Sequence, residues 1–414
     1  MDSETDVAPV VFNPLDPRLV EDPYPIYREV READPVHFEE MFGWWFVMSH
    51  PEAVTTLREP GGDLRFVEFQ HARMGRDVTD EPYCRGLRDF ALMKGGEEHK
   101  RVRRSFNKLF TPARVNGMRD QMLATAHDLL DRFPDQGTTD LMDAFAMPLP
   151  LSIISRMLDV SAEDEHNIDG LLRHFKLAIQ FLPMTDEQLA QANASIGGLT
   201  EYFADMIVER RQNMGDDLLS MLIEEADAGD LTEDELIANA WGLYGGGHET
   251  TANTMCTAIL TLLQHPDQLQ QLRNDLSLVP QTVDEVLRYC GPTQATHRIF
   301  DHEMQLGGRT IPADTPIVVY LAAANHDESW CPHADRFDIT RTEPKNHLTF
   351  SEGPHKCVGR HLAQATLEVA LEALVGRLEG LRLAGEVDWD RENLPFRAPT
   401  GLMIGWDRVL ERSA

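Results

Sequence analysis

The chain has 414 residues, with 38 Lys plus Arg against 69 Asp plus Glu, a net charge of -31, and 42% hydrophobic residues. That apolar content supports a large core and argues against disorder, while so acidic a surface suits neither nucleic acid nor an anionic membrane. No run approaches the roughly 18 to 20 apolar residues of a membrane span, so a soluble protein is expected.

The five cysteines (Cys84, Cys256, Cys290, Cys331, Cys357) are scattered, with no CxxC pair, which fits a reducing cytoplasm. Met1 to Asp6 is acidic and lacks an apolar core, so no signal peptide is expected. Residues 1–15 read as a flexible acidic tail, followed by a single domain over 16–414. Asp22-Pro23-Tyr24-Pro25 introduces a first helix, and Trp44 to Met48, rich in strand formers, begins a small sheet. Residues 59–95 are Gly-rich and read as a long irregular loop holding Phe66, Phe69 and His71.

Gly95 to Lys108 is a basic helix in an acidic protein. Residues three and four apart share a face, so His99 and Arg103 point one way while Lys100, Arg104 and Lys108 line up on another. Such a stripe is either a solvated surface or a docking face. From 115 to 225 the period is mostly helical, broken by an apolar turn with His174, Phe175, Ile179, Phe181, Leu182 and Met184 that is either core or lid.

A complete helix start follows: Thr232 as N-cap, Glu235 three residues on, and a Leu231/Leu236 staple. The helix should run to about Gln264, ahead of Pro266. Four glycines in its middle, Gly242, Gly245, Gly246 and Gly247, forgo roughly 3 to 4 kcal/mol of helix propensity. Helical spacing puts Gly242, Gly245, Gly246, Glu249 and Thr250 on one face. The bare face serves either close packing or an opening, and Thr250 can bond back to the carbonyl four residues earlier.

Glu285 and Arg288 form an ExxR string, which also reads as a capping box of Thr282 with Glu285. Two hairpins are expected, Met304–Ile311 around Gly307-Gly308 and Pro312–Leu321 around Ala313-Asp314. Next comes Phe350-Ser351-Glu352-Gly353-Pro354-His355-Lys356-Cys357-Val358-Gly359, ahead of an amphipathic helix. A thiolate there would be stabilised by the helix N-terminus, although a free cysteine is often simply a small buried hydrophobe.

Phe350, Gly353, His355, Cys357 and Gly359, followed by Leu362-Ala363, resemble the cysteine-ligand loop of the cytochrome P450 family: Phe, Gly, any, Gly, any, His or Arg, any, Cys, any, Gly. Ser351 stands where a glycine is usual. Gly246-Gly247-His248-Glu249-Thr250-Thr251 resembles the family's oxygen-binding motif. Glu285, Arg288 and Arg336 resemble its structural triad.

The resemblance implies a mainly α single-domain fold with a small β region and haem b (iron protoporphyrin IX) between the long central helix and the cysteine loop. Cys357 would be the axial iron ligand, with Phe350 and Gly359 beside it and Gly246 across the haem. His99, Arg103, Arg298 and His355 would hold the propionates. Thr250 would hydrogen-bond dioxygen bound there, and Glu249 would relay protons, since a threonine alone is no titratable relay. Phe66, Phe69, Phe181, Gly242, Gly245, Gln294, Ala295 and Leu402 are expected in the substrate pocket, where Gly242 and Gly245 would leave room for bulky polycyclic or macrocyclic substrates.

The implied activity is monooxygenation, hydroxylating or epoxidising a hydrophobic substrate with dioxygen. Electrons would come from NAD(P)H through a reductase and a small iron–sulfur ferredoxin, docking on Lys100, Arg104, Lys108, Lys356 and Arg360. A peroxide-driven haem-thiolate enzyme is the alternative, disfavoured by the Glu249/Thr250 pair. A haem-binding protein without chemistry is a third reading.

Overall fold

The computed structural model describes residues 12–391 and 395–412. Its axis is the 32-residue central helix Glu233–Gln264. The capping box forms as expected. The Glu235 N–H donates to Thr232 Oγ1 (3.2 Å), and the Thr232 N–H donates to the Glu235 carboxylate (2.9 Å). Trp241 and Tyr244 are fully buried and most of the helix is covered on every side, as expected of a helix apolar all round its circumference. Helices Pro148–Leu158, Val279–Cys290 and Arg360–Arg377 pack around it.

The β structure is small. One four-stranded sheet runs in the order Val36–Glu39, Trp44–Val47, Ile317–Val319, Thr296–Arg298, with only the middle pairing parallel. A three-stranded sheet joins Gly137–Asp140, Met403–Trp406 and Arg382–Leu383. The hairpin around Gly307-Gly308 forms, both glycines at positive φ. A hairpin around Ala313-Asp314 does not: Ile317–Val319 is instead zipped between Trp44–Val47 and Thr296–Arg298.

Three other expectations change. Residues 59–95 contain the helices Phe66–Met74 and Pro82–Arg88, because Gly75 (φ +64) closes the first and Pro82 opens the second. Phe12, within the stretch read as a tail, is buried against Tyr320 (ring centroids 5.0 Å) and Phe46 (5.6 Å), so only residues 1–11, outside the described residues, are left to that reading. Thr282 caps nothing: its helix already starts at Val279, and its hydroxyl donates to the Leu278 carbonyl.

Candidate active site

The cysteine loop is built by backbone constraints. The Cys357 N–H donates to the Phe350 carbonyl (2.9 Å), closing the loop, and a helix follows from Arg360 to Arg377. Gly353 sits at φ +72, where a Cβ would lie 2.1 Å from the Leu57 carbonyl oxygen, so only glycine fits. Ser351 lies at φ +58, in the left-handed region glycine favours, which explains why a glycine is usual there. The Cys357 side chain is exposed to a cavity of about 410 Å³. Burial pushes its thiol up, against the opposing pull of the Gly359 N–H and the Arg103 and Arg360 charges.

Four basic side chains converge on the same cavity. His99 and His355 stack with centroids 4.1 Å apart, and Arg103 and Arg298 line the wall beside them. Arg298 is 2% exposed, yet it donates only to neutral oxygens: the His297 carbonyl (2.7 Å), Thr296 Oγ1 (3.2 Å) and Ser351 Oγ (3.5 Å). Arg103 donates to the Lys356 carbonyl and to Asn107. Among the described residues no carboxylate comes within ion-pair distance of either arginine. Burial lowers Arg298 to about 10 and Arg103 less far. Burial, then Arg103 and Arg298, holds His99 near 4; burial, then Arg298 and His99, holds His355 near 2. The buried His355 Nδ1 has no hydrogen-bond partner among the described residues.

Uncompensated buried charge is costly, so this cluster fits an anionic ligand with more than one carboxylate. Nor, among the described residues, do three or more His, Cys, Asp or Glu side chains gather to hold a metal. A metal at Cys357 would need its other ligands from elsewhere. A metalloporphyrin with two propionates answers both requirements.

Across the cavity lies the glycine-rich face, and its glycines differ in role. A Cβ on Gly246 would meet nothing within 4 Å. At Gly242 it would strike the Phe90 ring at 2.6 Å, and at Gly245 Leu172 at 2.9 Å. Gly242 and Gly245 line the cavity beside Gly246, with Phe90 and Leu172 close against the first two and open space at Gly246. Glu249 and Thr250 both face the cavity, with Thr250 Oγ1 a loose 3.5 Å from the Gly246 carbonyl. His248 instead is buried, its Nδ1 3.0 Å from the Tyr244 carbonyl.

The roof is aromatic: Phe66, Phe69, Phe90, Phe175, Phe181 and Phe396. Ala295 joins them, but Gln294 and Leu402 do not. Gln294 turns away, accepting from Tyr27 and donating to the Gly291 carbonyl, and Leu402 is fully buried in the core. Phe396, not the turn at 398–403, brings the C-terminal segment to the cavity. Phe90 and His297 carry no local signal of their role, whereas Phe175 lies in the apolar turn that suggested a lid. His297 stacks on Phe69 at 4.5 Å.

The structural triad also changes. Arg288 makes a two-bonded pair with Glu285 (both 2.8 Å) and donates to the Ala334 and Asn325 carbonyls. The second arginine on Glu285 is Arg341 (3.2 Å); Arg336 is exposed and contributes only its carbonyl to Arg288. On the outer face of the basic helix, Lys100 pairs with Glu97 and Lys108 with Glu225, while Arg104 is exposed. Lys356 pairs with Glu352 (2.8 Å), and Arg360 lies against His361.

No helix among the described residues is long and apolar enough to cross a membrane. Residues 68–395 match the family model for Cytochrome P450. Cytochrome P450 107B1 of Saccharopolyspora erythraea is 40% identical over 384 residues, covering 90% of this chain and 92% of that protein. The 6-deoxyerythronolide B hydroxylase of the same organism is 34% identical over 386 residues, covering 90% and 93%. The solved structure of P450BioI in complex with an acyl carrier protein superposes with a TM-score of 0.88 at 28% identity, covering 94% of this chain and all of that one. With the thiol, the basic cluster and the bare helix face meeting in one cavity, the chain belongs to the cytochrome P450 family of haem-dependent monooxygenases.

Proposed function

We propose that this monooxygenase hydroxylates or epoxidises a hydrophobic small molecule, using haem b held through Cys357 and gripped at its propionates by His99, Arg103, Arg298 and His355. The observation that carries the reading is the meeting of a cavity-facing thiol with four basic groups that, among the described residues, have no carboxylate within ion-pair distance. Bound haem would supply dioxygen activation, with thiolate ligation favouring O–O cleavage. The chain's own residues set the surroundings. Gly246 leaves space on the opposite side, the weak back-bond of Thr250 leaves its hydroxyl free to reorient, and Glu249 offers a titratable group in the same wall. The phenylalanine roof excludes water and favours apolar substrates. Gly242 and Gly245 leave bare backbone on the cavity wall, and Phe90 and Leu172 limit the room there for bulky substrates.

Electrons would arrive from NAD(P)H through a reductase and a small acidic ferredoxin in the cytoplasm. Of the five basic positions proposed to receive it, Arg104 and Arg360 have no carboxylate within ion-pair distance among the described residues and would carry most of the attraction. Reducing the purified protein under carbon monoxide tests the central reading. A strongly red-shifted Soret band is expected, lost in Cys357→Ser; an identical spectrum in that variant would overturn it. A screen of apolar compounds for a low- to high-spin shift then identifies the substrate class.

A further inference from the structure

Ser351 departs from the family pattern, and its surroundings suggest a use for the departure. Its backbone at φ +58 is a conformation that glycine adopts freely and that costs other residues roughly 1 to 2 kcal/mol. The side chain that incurs this cost lines the haem cavity, with Oγ 3.5 Å from Arg298 Nη2. Arg298 is the donor in that contact, so the serine hydroxyl accepts and keeps its own hydrogen. Among the described residues no acceptor takes that hydrogen. The loop backbone is anchored independently, by the Ser351 N–H on the Leu348 carbonyl (2.7 Å) and the Cys357 N–H on the Phe350 carbonyl (2.9 Å), so the hydroxyl is not needed to hold the turn.

We infer that Ser351 is a fifth propionate-binding side chain, whose hydroxyl accepts from Arg298 and donates to the same propionate that Arg298 serves. This rests on the haem reading above and deepens it at one position. A hydrogen bond to a carboxylate is of the stronger, charge-assisted kind. It would also draw negative charge from the carboxylate near the iron, which favours the reduced state.

The test uses holoenzyme with Ser351→Ala, which keeps the Cβ but loses the hydroxyl, and Ser351→Gly, which also relieves the backbone. Both should keep the carbon monoxide spectrum of the parent. Both should pass haem to a haem-free acceptor globin on the order of tenfold faster, with a lower midpoint potential. Only Ser351→Gly should gain thermal stability in the haem-free form. Parent rates and potential in Ser351→Ala, with the spectrum intact, would overturn the inference and leave the haem reading standing. A parent protein without the red-shifted band would overturn the haem reading itself.

Discussion

Two buried arginines in this molecule live under opposite conditions. Arg288 is 3% exposed and shares two short bonds with Glu285, which in turn is held by Arg341 and by the Asp338 N–H (2.9 Å). Burial pulls its guanidinium down, but the Glu285 carboxylate outweighs that and the net shift is upward. Arg298 is 2% exposed with no carboxylate within ion-pair distance among the described residues, and burial outweighs the more distant Asp63. The first region is complete in itself. The second is complete only with a ligand, and that contrast, more than any motif letter, distinguishes a structural ion pair from a binding site.

Substitutions should separate the two. The largest effect is expected from Arg288→Met, which leaves Glu285 buried without its main partner: unfolding should show a loss of about 3 to 5 kcal/mol, with haem and without it. Arg298→Met should behave differently. The haem-free protein should be unchanged or stabilised by up to about 1 kcal/mol, because an unpaired buried charge has been removed, while haem retention should weaken by about 2 kcal/mol. Equal destabilisation of both forms by Arg298→Met would erase the contrast.

Acidity gives a third handle. His99 titrates near 4 in the folded protein against about 6.5 when unfolded, so between those values the unfolded chain takes up a proton that the folded chain refuses. Stability of the haem-free protein should therefore fall as pH drops from about 6.5 to about 4, with His99 contributing roughly 1.4 kcal/mol per pH unit. Denaturant titrations of His99→Gln should show a shallower slope, as should the haem-bound parent, whose propionates favour the charged imidazoles. The smallest effect sharpens the Arg288 side: Arg341→Ala should cost about 1 kcal/mol and Arg336→Ala less than about 0.5, read as thermal midpoints.

What the sequence made legible was local. The central helix announced its start through Thr232 and Glu235, the Gly307-Gly308 hairpin through its turn, and the cysteine loop through residues whose backbone geometry admits few substitutes. What it concealed depends on where distant side chains go. Nothing near Gly242 or Gly245 indicates that Phe90 and Leu172 press on them, so packing glycines could not be told from the open one at Gly246. Arg336 and Arg341 are equally plausible partners for Glu285 until the chain between them turns. Ile317–Val319 finds one strand about 20 residues earlier and the other near the N-terminal end, and Gln294 is turned from the pocket by Tyr27, more than 260 residues earlier.

The central claim is that unpaired basic groups opposite the glycine-rich face are there to receive two carboxylates. Its most direct measurement is a binding titration of the haem-free protein with iron protoporphyrin IX and with its dimethyl ester, in which both carboxylates are masked. The free acid should bind at least about 100-fold more tightly and develop the thiolate-ligated spectrum. Equal affinity for acid and ester would show that the basic groups do not receive the carboxylates.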